Sequence, residues 1–223
     1  SKMSSQHRKT NMFLSFNFYE VGADALESDS TWFIPIVVRE EVYNQVEGGW
    51  SRLLRTFLRY VLLGELSMSR AGVIVQYKVD LNQRAFNLKT TLQGLLTDRE
   101  GLGKCLEWNG HASMRPCFVS SNCFKKDSGM ASEELGYIDI SCDTPAAIRL
   151  WTTARWNNLI DKVLEAKSQR ERILIGVGQL KDVIKSAGFS PTPFGLLADI
   201  ELRAHCDFLH AWSYDIMHTT FQD

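Results

Sequence analysis

The sequence of 223 residues lacks long hydrophobic runs, has only five prolines and carries almost no excess charge. No apolar run approaches the roughly 20 residues that a membrane-spanning helix needs, so a membrane span is not expected. The formal net charge is −1, whereas dedicated nucleic-acid-binding domains usually carry a basic footprint. The near-zero net charge counts against a purely nucleic-acid-binding protein, although it is compatible with a local basic face. Hydrophobic residues make up 44% and charged residues 23% of the chain, which is ordinary globular composition.

The cysteines do not form a recognisable framework. There are five, and no two of them have Cys-x-x-Cys spacing. An odd, irregular set is typical of a reducing compartment rather than of a secreted, disulfide-linked protein, so an intracellular location is expected. Imidazole and thiolate are zinc ligands, and such groups occur at His111, Cys117, Cys123 and Cys142. Without a Cys-x-x-Cys pair, buried free thiols are the better interpretation, and zinc is not expected.

Strand patterns dominate the first hundred residues. Residues 1–11 are predicted to be a disordered tail, and residues 12–223 a single α/β domain. Alternating or β-branched runs bounded by polar turns predict strands, and they occur at residues 12–19, 32–38, 73–79, 85–92, 95–98, 137–141 and 211–214.

Helix patterns dominate the second half, with one strong exception before it. The clearest helix follows Gly48 and Gly49, carries apolar residues at helical spacing and is predicted to end at Gly64. A long helix is predicted over residues 144–167, with Thr144 as its N-cap, and another over residues 177–187. Strands and helices in this order predict a mixed sheet flanked by helices, with a helical insertion around residues 144–190.

Two acids each follow a predicted strand. Asp98 ends the apolar run that begins at Leu92, and Asp215 follows a run that begins at Ala211, with His218 one helical turn later. Carboxylates on neighbouring rigid elements are what a two-metal phosphoryl-transfer site needs, and Mg²⁺ or Mn²⁺ prefer such oxygen ligands. Asp98 and Asp215 are therefore candidate metal ligands. The alternative is that each acid caps a helix and that His218 is a core histidine.

A basic stripe lies on the polar face of the first helix. It consists of Arg52, Arg55 and Arg59, and Lys125 with Lys126 forms a second basic pair. Such side chains track phosphate backbones by charge, which makes all five candidate nucleic-acid-binding residues. A solvated helix face is the alternative interpretation.

Several segments, taken together in order, resemble a known group of proteins. They are residues 47–51 (EGGWS), 95–102 (LLTDREGL), 107–113 (EWNGHAS), 115–118 (RPCF), 139–142 (DISC), 190–191 with 195–197 (SP, GLL) and 214–218 (YDIMH). This order resembles a set of algal and dinoflagellate proteins that are similar to the catalytic cores of Plavaka and Kyakuja–Dileera–Zisupton DNA transposases.

The resemblance implies an RNase H-like fold that binds DNA and cleaves or transfers its strands with divalent metal in the nucleus. Asp98 matches the family's first acid, and Asp215 with His218 matches its Asp-x-x-His segment. Cys117 stands at the first position of the family's Cys-x-x-Cys, but Ser120 replaces the second cysteine. The family's final Glu would lie beyond Asp223. The expectation is therefore an inactive or incomplete, C-terminally truncated relative. The alternative is a structural or protein-interaction subunit that kept the fold without catalysis.

Overall fold

The computed structural model describes residues 11–16, 28, 32–79, 82–97, 99–110, 113–125, 138–139 and 147–214. Within them the chain is mixed α/β, with small two-stranded sheets and several helices. The strands are β1 (Asn11–Phe16), β2 (Phe33–Arg39), β3 (Val73–Val79), β4 (Asn82–Leu88), β5 (Leu95–Thr97), β6 (Cys123–Phe124), β7 (Ile138–Asp139) and β8 (Trp212–Tyr214). The helices are α1 (Glu40–Tyr43), α2 (Gly49–Leu58), α3 (Arg99–Leu106), α4 (Thr153–Glu171), α5 (Val177–Ala187), α6 (Ile200–His205) and α7 (Phe208–Ala211).

The strands form four pairs. β1 with β2 and β3 with β4 are antiparallel, whereas β5 with β8 and β6 with β7 are parallel. Val79 pairs with Asn82, so β4 begins before residue 85, where the prediction placed it, and ends at Leu88. The β5–β8 pair joins segments far apart in the sequence, as parallel strands require because they need a long crossover.

Helix α2 confirms the clearest prediction from the sequence. It begins after Gly48, whose φ of +84° is readily adopted only by a residue without Cβ. Its apolar side chains point into the core, and Leu54 and Leu58 are buried. The helix then widens into a π-helical turn over Arg59–Leu63 before Gly64. Such turns inside helices occur frequently at functional sites.

Helix α4 corrects the prediction of a helix over residues 144–167. It begins at Thr153, with the Thr152 side chain accepting a hydrogen bond from the N–H of Arg155, and it ends at Glu171. Residues 147–150 lie outside the helix. The Asn122 side chain binds two of them, since it donates to the carbonyl of Ala147 (2.9 Å) and accepts from the N–H of Arg149 (2.8 Å). Helical periodicity cannot reveal such a non-local partner.

Helices from both halves of the chain share one core. Trp156 of α4 is fully buried and makes edge contacts with Phe118 (6.4 Å between ring centroids) and Phe189 (5.7 Å). Leu196 and Leu197, in a 3₁₀ turn before α6, are also fully buried in this core. Large aromatic and aliphatic side chains supply most of the apolar area that stabilises such a core.

No helix in the described part of the chain is both long enough and apolar enough to cross a lipid bilayer.

Candidate functional site

The parallel pair β5–β8 is where the sequence predicts catalytic acids. Its register joins Leu95 to Trp212, Leu96 to Ser213 and Thr97 to Tyr214. The residues that follow in the sequence are Asp98 and Asp215. Asp98, Asp215 and His218 all lie outside the described residues.

Buried helices hold the two strands of this pair in place. Helix α3 follows β5 closely, and its Leu102 and Leu106 are buried. Helix α7 leads directly into β8, with Phe208 and Leu209 buried. Strands anchored in this way provide rigid support for side chains at their ends, which a metal or catalytic site needs.

Two arginines of the predicted basic stripe converge on one buried carboxylate. Asp199 accepts hydrogen bonds from Nε of Arg55 (2.8 Å) and from Nη1 of Arg59 (2.7 Å), and its side chain is only 1% exposed. Arg59 also donates through Nη2 to the exposed Glu201 (2.6 Å). These are charge-assisted bonds, which are shorter and stronger than neutral ones.

The protonation state of Asp199 follows from these contacts. Burial alone raises the pKa of its carboxyl, but the hydrogen bonds from Arg59 and Arg55 outweigh burial and leave the pKa below its ordinary value. Asp199 also caps helix α6 by accepting the N–H of Leu202 (3.1 Å). The cluster therefore holds the segment that contains α6 against α2. A phosphate group would have to compete with Asp199 for Arg55 and Arg59.

Of the other candidate nucleic-acid-binding residues, Arg52 and Lys125 are described, and neither forms an ion pair with Asp199. The guanidinium of Arg52 lies over the ring of Phe194, 5.0 Å from its centroid, and donates a long hydrogen bond to the carbonyl of Glu47 (3.4 Å). Lys125 directly follows β6, where its N–H donates to the carbonyl of Met114 (3.1 Å). Lys126 lies outside the described residues. Within the described part of the chain, Arg52 is therefore the one arginine of the stripe that forms no ion pair with a carboxylate.

A second polar network fastens residues 190–196 to the core. The Glu107 carboxylate accepts the N–H of Thr192 (3.1 Å to each oxygen) and the hydroxyl of Ser51 (3.3 Å). The Ser51 oxygen in turn accepts the N–H of Leu196 (2.8 Å). A Cβ added at Gly195 would overlap the Glu107 carboxylate, so a larger residue there would have to displace that carboxylate from its hydrogen bonds.

Lys167 completes this network from helix α4. Its Nζ donates to the carbonyls of Ser190 (3.0 Å) and Pro191 (2.7 Å). Burial raises the pKa of the Glu107 carboxyl and lowers the pKa of the Lys167 amine, while the charge of each opposes the shift of the other. Perturbed pKa values also occur in structural networks. Here both side chains are hydrogen-bonded to backbone groups, which favours a role in stabilising the fold over a role as a reactive site.

The described cysteines do not assemble a metal centre. Cys105 and Cys206 are buried in the core, and burial raises the pKa of the Cys206 thiol to about 11. The Cys123 sulfur accepts a hydrogen bond from Ser120 (3.0 Å). Within the ranges that the structure covers, no three His, Cys, Asp or Glu side chains form a group able to hold a metal. His111 and Cys142 lie outside those ranges.

An apolar cavity of about 320 Å³ lies beside helix α2. Its walls come from β1, from the end of α2 with its π-helical turn, and from the extended segment that leads into β5. Among the lining residues are Leu14, Phe16, Leu58, Val61, Leu62 and Leu92.

Sequence reasoning missed the acids that organise these networks. Asp199 carried a usable signal, since an Asp directly before an Ile-Glu-Leu run is a helix N-cap pattern. Glu107 carried none. Its partners Ser51 and Thr192 are distant in the sequence, and its φ of +53° is not predictable from the residue type.

Comparison with known proteins returned no relative: no family model, curated protein or solved structure matches this chain.

Proposed function

We propose that this chain is a transposase-derived, RNase H-like domain that holds a divalent metal ion with Asp98 and Asp215. The observation that supports the proposal is the parallel register of β5 with β8, whose last described pair is Thr97 with Tyr214. Carboxyl ends of paired parallel strands lie at the same edge of a sheet, where α/β proteins bind their ligands. Each of the two acids is the next residue after that pair.

The residue types fit Mg²⁺ or Mn²⁺, which take oxygen ligands and are often held by one or two carboxylates plus substrate phosphates. His218, three residues after Asp215, would orient that carboxylate. When bound, such metal ions activate water and stabilise the leaving 3′ oxygen of a DNA strand. Within these 223 residues the family's third acid has no match, so we expect metal binding by this chain without strand cleavage.

The test is a Mn²⁺ titration followed by electron paramagnetic resonance, with plasmid nicking measured in parallel. We expect Asp98→Asn and Asp215→Asn each to weaken Mn²⁺ binding at least tenfold. The matched control is Asp182→Asn on the exposed face of α5, which should bind as the wild type does. Equal Mn²⁺ binding by all four proteins, or none at millimolar Mn²⁺, would contradict the proposal.

DNA is the partner that this function implies. Because Arg55 and Arg59 already pair with Asp199 and Glu201, DNA binding by the predicted basic residues would depend on Arg52 and on Lys125 with Lys126. Phosphate contacts weaken steeply with salt, so fluorescence anisotropy of a labelled duplex should show tighter binding at 50 mM than at 200 mM salt. Unchanged affinity in an Arg52→Gln, Lys125→Gln, Lys126→Gln triple variant would exclude these three residues from DNA binding.

An interaction subunit is the second candidate function, and the turn between α4 and α5 favours it. Ile173 has a φ of +60°, which is a genuine outlier for a β-branched residue. Its side chain is 81% exposed and that of Leu174 is 68% exposed. Strained residues cluster at functional sites, and here the strained turn displays aliphatic side chains to solvent.

Site-specific photo-crosslinking tests this second function. A photoreactive residue in place of Leu174 should yield a defined crosslinked partner in the source cells. The same residue in place of the exposed Leu66 is the control and should yield none. Identical crosslinking patterns at the two positions would argue against an interaction role for the turn.

A further inference from the structure

We infer that the apolar cavity beside α2 is a binding site for a small, uncharged molecule with an apolar body and one hydrogen-bonding end. The inference is independent of the proposed function, because the described lining of the cavity ends at Leu95, before the strand ends that precede Asp98 and Asp215. Its volume of about 320 Å³ falls at the lower end of the range that small-molecule sites occupy.

The lining determines the chemistry of the ligand. Among the described residues that line the cavity, none is acidic, basic or a histidine. An ionised group placed there would lose hydration without a charged partner, which is unfavourable. Leu58, Val61 and Leu62 from α2 and its π-helical turn, with Phe16 from β1, supply an apolar surface. The ligand body is therefore aliphatic or aromatic.

The hydroxyl and carboxamide side chains of the lining lie on two of its walls. They are Ser15 from β1 and Thr90, Thr91 and Gln93 from the segment before β5. Gln93 Nε2 donates to the Thr91 hydroxyl (3.0 Å), which leaves that hydroxyl's own proton able to donate to a ligand. A few placed polar groups in a mainly apolar pocket are the usual arrangement for orienting a ligand.

The π-helical turn is the second observation that points to a ligand. Val61 and Leu62 belong to both the turn and the cavity wall. A π-helical turn inserts an extra residue into a helix, and such turns occur frequently at functional sites. In this chain the turn places Val61 and Leu62 at the cavity.

Fluorescence titration with N-phenyl-1-naphthylamine, an uncharged apolar probe, tests the inference. We expect saturable one-to-one binding by the wild type, with displacement by 1-decanol at least tenfold more effective than displacement by decanoate. Leu92→Trp places a larger side chain in the cavity wall and should weaken probe binding at least tenfold. Leu66→Trp, the same substitution at an exposed position outside the lining, should leave binding unchanged.

Because Leu92→Trp can disturb folding, Val61→Phe serves as a second filling variant, and circular dichroism establishes that each variant is folded. Absence of saturable probe binding overturns the inference. So does equal binding by a folded filling variant, because the probe would then lie elsewhere. Decanoate displacing the probe as well as 1-decanol does would overturn the assignment of an uncharged ligand.

Discussion

Removing the charge of Asp199 should destabilise the fold strongly while leaving its shape intact. In Asp199→Asn the side chain keeps its size, and Asn is as good a helix N-cap as Asp, so the bond to the N–H of Leu202 can persist. The substitution removes the charged partner of Arg55 and Arg59. The lost free energy therefore reports on the ion cluster rather than on the helix cap.

The magnitude follows from burial. Removing one partner of a buried ion pair costs about 3–5 kcal/mol. Asp199 is 1% exposed, but the Arg59 side chain is 42% exposed and can be rehydrated after the substitution. We therefore expect a loss of about 2–3 kcal/mol in the free energy of unfolding. Glu201→Gln is the matched control: Glu201 binds the same arginine but is 69% exposed, and exposed pairs contribute only about 0–1 kcal/mol.

Urea unfolding followed by far-UV circular dichroism measures both variants, with the free energy obtained by linear extrapolation at an unchanged m value. The double variant Asp199→Asn with Arg59→Met isolates the pairwise coupling. A loss below about 0.5 kcal/mol in Asp199→Asn, the size of an ordinary surface substitution, would refute the reasoning. Equal losses in Asp199→Asn and Glu201→Gln would refute it as well, since burial would then not decide the effect.

The same pair of proteins gives a test against pH. The pKa of Asp199 is lower in the folded protein than its ordinary value of 3.8, so the folded state binds this proton less tightly than the unfolded chain. The stability that the ionised carboxylate contributes is complete above about pH 4 and is lost as the pH falls through the lowered pKa. The difference between wild type and Asp199→Asn should therefore be constant from pH 7 to about pH 4 and shrink below it.

Three further predictions concern strained backbone, close packing and a second carboxylate. Ile173→Asn should stabilise the protein by about 1 kcal/mol in urea unfolding, because Asn tolerates a left-handed backbone far better than Ile, while Leu174→Asn at the exposed neighbour should change little. Gly195→Ala should destabilise by about 1–3 kcal/mol through overpacking, whereas Gly178→Ala in helix α5, where a Cβ meets nothing within 4 Å, should stabilise by about 0.5–1 kcal/mol; similar effects at the two glycines would contradict the close contact. Burial raises the pKa of Glu107 from 4.5. The stability that its protonated form contributes is therefore present at low pH and is lost as the pH rises through the raised pKa. In pH-dependent unfolding, Glu107→Gln should lose less stability than the wild type over that range.

Local patterns predicted the elements whose ends are determined locally. Helix α5 begins and ends at the predicted residues, with Gly188 in a left-handed conformation after it, because both the apolar spacing and the terminating glycine are visible in the sequence. Helix α2 was predictable for the same reason. Its π-helical turn was not, since the sequence 59–63 has no Pro or Gly that would mark a distortion.

Long-range partners account for what the sequence could not reveal. The predicted start of α4 was wrong because Asn122 binds Ala147 and Arg149, which lie outside the helix. The acids Asp199 and Glu107 were missed because their partners on α2 are distant in the chain. Hydrophobic periodicity reports which face of an element is buried, whereas a carboxylate gains its role only from the side chains that the fold brings to it.

The contacts of Arg55 and Arg59 relate the basic stripe to the metal edge, the end of the β5–β8 pair where Asp98 and Asp215 are proposed to bind metal. Arg55 and Arg59 use their charge to hold Asp199, and that contact fastens the segment from which α7 and β8 continue. Arg55 and Arg59 therefore stabilise the segment that leads to β8 and have their charge already paired with Asp199. Stability and metal binding should consequently separate. Asp199→Asn should lower the unfolding free energy yet leave Mn²⁺ affinity unchanged at temperatures where the protein stays folded. Asp98→Asn should lower Mn²⁺ affinity and leave the unfolding free energy unchanged. A loss of Mn²⁺ affinity in folded Asp199→Asn would show instead that the cluster sets the geometry of the metal edge.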